Sequence, residues 1–243
     1  MILLLGGTTE GIHLAKVLSG AGIKLMYSVA GLVRQPCLSV PVITGGFSSF
    51  GGLQHYLKSH KIRAVVDATH PYAVNISATA RQAATQLGLP YLRFQRPEWQ
   101  PSEQDDWRGF DHLDELFTAL QGYRRIFFTL GAVAKARLAS LSQAQLLLLR
   151  RAVAAPLVLD NVRSLTAIGP FCFEQELALM RDERIEVLVT KNSGGQAGIA
   201  KLQAARSLSI PVYVLNRPRH CVEVDVFESI ETLFAVCVQR FLV

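Results

Sequence analysis

Short apolar runs alternate with stretches whose apolar residues recur every three or four positions, almost from end to end of the chain. Residues 2–5 are continuously apolar, and residues 9–20 then repeat Ile12, Leu14, Ala15, Val17 and Leu18 at helical spacing. The pattern predicts further strands at 24–30, 40–43, 64–67 and 91–94, with helices at 53–59 and 72–87, the latter stopped by Gly88. Strands without polar alternation, each followed by a helix-length segment, indicate βαβ units and a parallel sheet covered on both faces.

A polar stretch from Arg96 to Asp106, with Pro97, Pro101 and a burst of acids, interrupts this rhythm and marks a domain boundary. The rhythm then restarts. Helices are predicted at 114–120, 132–141, 174–183, 199–208 and 229–241, with strands at 125–130, 146–149, 187–190 and 212–215. The expected architecture is α/β: two Rossmann-like parallel-sheet domains, 1–97 and 98–243, facing a central cleft that suits a ligand. The amphipathic C-terminal helix is counted with the second domain.

Composition narrows the class. No apolar run approaches the roughly 18–20 residues that span a bilayer, and the start of the chain lacks the long apolar core of a signal peptide, so a cytoplasmic location without membrane association is expected. Cys37, Cys172, Cys221 and Cys237 are scattered, which suggests neither a disulfide framework nor a metal site. The net charge of +6 is uneven: residues 1–97 hold nine Lys/Arg against only Glu10 and Asp67. A positive first half attracts anions, or is simply a basic solvated surface. Nucleic acid is not expected as a partner, because the basic residues are dispersed and form no basic–aromatic cluster.

The turn Gly6-Gly7-Thr8-Thr9-Glu10-Gly11 joins the first strand to the first helix. Such a turn aims backbone N–H groups at a phosphate from the positive end of a helix, and glycine lets the ligand approach the backbone. The spacing is Gly-Gly-x-x-x-Gly, not Gly-x-Gly-x-x-Gly, and the same residues also serve an ordinary strand–helix turn capped by Thr8 or Thr9. The second strand refines the choice of ligand. An NAD site carries an acid at that strand's end for the ribose 2′-hydroxyl. Here the chain reads Ser28-Val29-Ala30-Gly31, with Arg34 nearby and no acid between Glu10 and Asp67, a pattern that suits the 2′-phosphate of NADPH. The missing acid also argues against S-adenosylmethionine. Neither a Tyr-x-x-x-Lys pair nor a Walker lysine is present.

Two other constellations follow strands. Asp67-Ala68-Thr69-His70-Pro71 sits at a strand's C-terminal edge, where Thr69 could contact a cofactor and His70 could transfer a proton; equally, Asp67 and Thr69 could cap the next helix and His70 be a solvated loop residue. Thr190-Lys191-Asn192-Ser193-Gly194-Gly195, with Lys201 beyond it and Arg217 after the last strand, forms either an anion cradle or a flexible turn capped by Ser193.

In their order along the chain these segments, together with Gly45-Gly46-Phe47, Arg96-Pro97, Gly169-Pro170-Phe171 and Arg217-Pro218, resemble the precorrin-6A reductase family of cobalamin biosynthesis, from residue 1 to about 218. One departure is Ile168, where the family pattern has an arginine before Gly-Pro-Phe. The resemblance implies NADPH as cofactor and a polycarboxylate tetrapyrrole as substrate, with reduction of precorrin-6A to precorrin-6B, or of its cobalt-containing counterpart in the anaerobic route. A reading from another class is a non-catalytic module that binds a nucleotide or tetrapyrrole. The residues and the resemblance together assign cofactor contacts to Gly6, Gly7, Thr8, Thr9, Glu10, Ser28, Gly31, Arg34 and Thr69. Substrate contacts fall to Lys191, Ser193, Gly194, Gly195, Lys201 and Arg217, with His70 as proton donor and no metal ligand. Oligomeric state is left open. If Arg34 meets the 2′-phosphate, Arg34→Ala weakens NADPH binding roughly ten- to a hundredfold while NADH binding barely changes; a titration in which both dinucleotides lose affinity equally removes that role.

Overall fold

The computed structural model describes residues 1–30, 36–131, 133–154, 156–157, 159–218 and 225–242. Its contacts divide the chain into two compact units: unit 1 is Met1–Pro97 with Arg219–Val243, and unit 2 is Glu98–Pro218.

Unit 1 contains β1 (Ile2–Leu5), α1 (Thr9–Gly20), β2 (Leu25–Val29), β3 (Val42–Thr44), α2 (Leu53–Ser59), β4 (Ala64–Asp67), α3 (Val74–Gln86) and β5 (Tyr91–Phe94). The chain returns to it with β12 (Asp225–Phe227) and α8 (Ile230–Phe241). Its sheet is parallel, in the order β3-β2-β1-β4-β5-β12, the doubly wound arrangement of dinucleotide-binding domains. Alternate residues of β1 face opposite layers. Ile2 and Leu4 pack with Leu14, Leu18 and Leu233 from α1 and α8, whereas Leu3 and Leu5 pack with Tyr56 and Ala80 from α2 and α3. Burial on both faces is why the strand reads as an unbroken apolar run.

Unit 2 contains β6 (Trp107–Phe110), α4 (Leu113–Ala119), β7 (Arg125–Phe128), α5 (Lys135–Ala139), β8 (Leu146–Arg151), β9 (Val162–Thr166), α6 (Phe173–Asp182), β10 (Val187–Lys191), α7 (Ile199–Ser207) and β11 (Val212–Leu215). Its parallel sheet runs β9-β8-β7-β10-β11-β6. The apolar layers again divide by strand face, Ile126 and Phe128 with α4 and α5, Phe127 with α6 and α7.

The two parallel-sheet units agree with the expected fold class, with two differences. The tail does not belong with 98–243: β12 pairs with β5 and α8 packs against α1, so the final helix completes the core of unit 1. Strands β6, β9 and β12 were not anticipated. All three are sheet edges with exposed or half-exposed residues, so they lack the continuous apolar run that betrays a central strand. Leu233 is fully buried in the unit 1 core, so Leu233→Ala lowers stability by about 2–5 kcal/mol in denaturant unfolding. Hydrogen exchange then shows protection lost first at the α1 amides; loss in unit 2 instead contradicts the tail's placement.

Candidate functional site

A cavity of about 620 Å³ lies within unit 1 at the C-terminal ends of its central strands, walled by Leu5 to Thr9, by Tyr27 to Ala30 and by Thr69, His70 and Ile76 among others. The glycine turn forms one wall. A Cβ on Gly6 would fall 2.1 Å from the buried Tyr27 ring, and Gly7 has φ +105°, so both positions require glycine. The Gly7 N–H donates to the Tyr27 hydroxyl at 2.9 Å, and burial raises the phenol above its usual pKa, which keeps it protonated. Thr8 is the N-cap of α1: its hydroxyl accepts from the Gly11 N–H at 3.0 Å and donates to the Ala68 carbonyl at 2.9 Å. That hydroxyl proton is thus committed to the protein, while Thr9 is exposed at the cavity wall. Glu10 is not among the lining residues; its carboxylate takes a 2.6 Å ion pair from Arg96.

Ser28, Val29 and Ala30 line the cavity, and no carboxylate of the described residues does. Gly31 and Arg34 lie outside the described residues. The opposite wall is built on Asp67, which is fully buried. Its Oδ1 accepts from the Thr69 amide at 2.9 Å and the Thr69 hydroxyl at 2.7 Å. Its Oδ2 accepts from the Tyr91 hydroxyl at 2.5 Å and from Arg93 at 3.1 Å. Burial and the adjacent carboxylate hold the Tyr91 phenol well above its usual pKa, so it remains a donor. Neither Asp67 nor Thr69 caps α3, whose N-cap is Ala73 without a side-chain bond. Instead they fix the 69–70 loop against the cavity, where the Nδ1 of His70 accepts from the Tyr72 N–H at 3.3 Å.

In unit 2 the expected anion cradle is a braced loop. Arg217 donates from Nε to the Asn192 carbonyl at 2.8 Å and from Nη2 to the Ser193 carbonyl at 3.2 Å, with Glu98 at 3.7 Å. Its side chain is only 6% exposed, and these bonds brace the loop backbone. Asn192 accepts from the Trp99 amide at 2.9 Å, and the Trp99 indole donates to the Gly195 carbonyl at 2.9 Å. Gly194 and Gly195 carry φ of +68° and +74°, which this turn requires of them. Lys191 ends β10, where burial lowers its pKa. Lys201 lines a separate cavity with Arg150, Arg151 and Glu176, and Lys191, Ser193, Gly194 and Gly195 are not among the residues lining it. Ile168, before Gly169-Pro170-Phe171, is 44% exposed.

Residue-level reasoning missed Tyr27, Arg150, Arg151 and Glu176. The Arg150-Arg151 pair at the end of an apolar strand was a legible signal; Tyr27 and Glu176 carried none, since each acts through a neighbour distant in sequence. Among the described residues no group of three or more His, Cys, Asp or Glu is placed to hold a metal ion, and no helix is long and apolar enough to cross a membrane.

The sequence pattern of the family described as Precorrin-6x reductase CbiJ/CobK matches residues 1–238. The chain belongs to this family. A precorrin-6A reductase of Rhodococcus erythropolis is 43% identical over 222 residues, covering 89% of each chain. One from Mycobacterium tuberculosis is 42% identical over 225 residues, covering 89% of this chain and 88% of its own. The solved structure of a CobK precorrin-6A reductase superposes with a TM-score of 0.87 at 35% identity, covering 98% of this chain and 96% of that one. In this member of the family the glycine turn has a direct test. Gly6→Ala drives a methyl into the Tyr27 ring and lowers thermal stability by about 1–3 kcal/mol, with weakened dinucleotide binding by fluorescence titration; unchanged melting and affinity would show that the turn tolerates a side chain.

Proposed function

We propose that this chain reduces precorrin-6A to precorrin-6B with NADPH. The observation that carries the reading is the match to the precorrin-6x reductase pattern over residues 1–238. Relatives named precorrin-6A reductase are 38–43% identical, against 28–30% for those named cobalt-precorrin-6A reductase, which favours the cobalt-free substrate. A reductase of this family needs a nicotinamide-type reductant, and the unit 1 cavity fits one. Gly6 and Gly7 line it without side chains, the N-terminus of α1 opens at its wall with Thr8 as cap, and no carboxylate of the described residues lines it to repel a 2′-phosphate.

NADPH, when bound, supplies the hydride. The chain's part is to bind, orient and protonate. The α1 turn holds the phosphates, and the Asp67 knot keeps Thr69 and His70 against the cavity. In this reading His70 delivers its proton to the reduced macrocycle as the imidazolium; in the neutral ring Nδ1 accepts the Tyr72 N–H. Incubation with NADPH and precorrin-6A, with and without cobalt, is expected to oxidise NADPH with the cobalt-free compound; oxidation with neither defeats the proposal. His70→Ala is expected to slow turnover by about a hundredfold or more without altering NADPH affinity, and near-normal turnover excludes it as the donor.

A further inference from the structure

Thr69 lines the unit 1 cavity, and the direction of its hydrogen bonds fixes what it can offer there. A threonine has two donors, its amide and its hydroxyl proton, and both go to Oδ1 of Asp67, at 2.9 and 2.7 Å. Asp67 is surrounded by donors. Its Oδ2 takes the Tyr91 hydroxyl at 2.5 Å and Arg93 at 3.1 Å, in an ion pair whose side chains are 1% and 4% exposed. Ser77 Oγ lies 3.2 Å from the Thr69 hydroxyl oxygen. The one proton of that hydroxyl is already given to Asp67, so Ser77 is the donor between them. A hydroxyl oxygen has two lone pairs, and Ser77 occupies one. What the Thr69 side chain keeps for the cavity is a single lone pair, an acceptor. Thr69 is 9% and Ser77 3% exposed, so solvent has little access to reverse this order.

The α1 side of the cavity has the opposite polarity. There the chain offers the N–H groups of a helix N-terminus, beside Gly6 and Gly7. A ligand between the two walls therefore meets donors at one and an acceptor at the other. Phosphate oxygens only accept, so they match α1 and not Thr69. In a doubly wound sheet the adenosine ribose is read at the end of β2, and the other half of a dinucleotide falls to the β4 side, where Thr69 follows the strand. The ring substituent that donates there is the carboxamide N–H of a nicotinamide. Ala73 and Ile76 also line the cavity and give a flat ring an apolar surface. We propose that Thr69 determines which ring substituent the cavity accepts: held as an acceptor by Asp67, it takes a hydrogen bond from the carboxamide N–H and disfavours a ring that cannot donate. Asp67 is a positioning residue in this scheme, acting through Thr69 without touching the ligand. The inference rests on the proposed nicotinamide cofactor, and it adds which half of the dinucleotide faces β4 and what its ring must carry.

The test is calorimetric binding, without substrate, of NADP⁺ and of two analogues. The thionicotinamide analogue keeps the amide N–H, and the acetylpyridine analogue has a methyl ketone in its place. Wild-type protein is expected to bind the first like NADP⁺ and the second about tenfold more weakly. Thr69→Ala together with Ser77→Ala removes the hydroxyl and the donor it would strand, and is expected to bind all three dinucleotides alike. Thr69→Val keeps the branched shape and gives the same comparison should the double replacement not fold. Thr69→Ser and Ser77→Ala alone, which leave the hydroxyl on Asp67, are expected to retain the wild-type ratio. Equal wild-type affinity for all three dinucleotides overturns the inference and leaves the cofactor reading intact. An unchanged ratio in the proteins that lack the hydroxyl, whatever their overall affinity, marks a merely structural threonine and also overturns it. Wild-type protein that binds none of the three defeats the cofactor reading and this inference with it. Protein that discriminates as expected but oxidises no NADPH with precorrin-6A sustains the role of Thr69 and defeats the substrate reading alone.

Discussion

The carboxylate of Asp67 is the point on which the unit 1 cavity turns. It ends β4, a central strand of the unit 1 sheet, where no water reaches it, and all its acceptor capacity is met by Thr69, Tyr91 and Arg93. Breaking a buried ion pair of this kind costs about 3–5 kcal/mol, because the remaining charge has no solvent to fall back on. The same four bonds join β4 to β5 and dictate the path of the 69–70 loop. A structural knot therefore shapes the cavity wall: Thr69 and His70 line the cavity where Asp67 holds the backbone that carries them.

The opposite wall depends on a different exclusion. The Tyr27 ring occupies the space a side chain at residue 6 would need, and its hydroxyl takes the Gly7 amide. The turn is thereby held from below by an aromatic residue of the neighbouring strand, and only glycine fits above it. Thr8 adds a second tether by capping α1 while bonding across to the Ala68 carbonyl. The geometry of the turn is thus fixed by the protein's own contacts.

Unit 2 repeats the order of the first five strands of unit 1, with β6 in the edge place that β12 takes there, but uses its corresponding edge differently. Its loop after β10 is braced by Arg217, Asn192 and Trp99, which gives those polar residues internal work. Arg150, Arg151, Glu176 and Lys201 line a separate cavity.

Much of this was legible in the chain. Continuous apolar runs such as residues 2–5 and 146–149 announce strands buried on both faces, because that burial is local to each strand. The glycine turn, the missing acid after β2 and the basic first half likewise need no partner to be read. Edge strands β6, β9 and β12 were hidden, since an edge is defined by the neighbour it pairs with and its exposed face carries no apolar signal. The same reason concealed the return of α8 to unit 1, where its apolar stripe is ambiguous until α1 is present to cover it. Tyr27 beneath Gly6, the four bonds to Asp67, and Arg150 facing Glu176 are contacts between residues 20 or more positions apart, except for the two short ones from Thr69. Sequence by itself determined the class of fold and the chemistry available to the sites; tertiary structure decided which polar groups serve the scaffold and which remain for a ligand, because that division depends on who is buried beside whom.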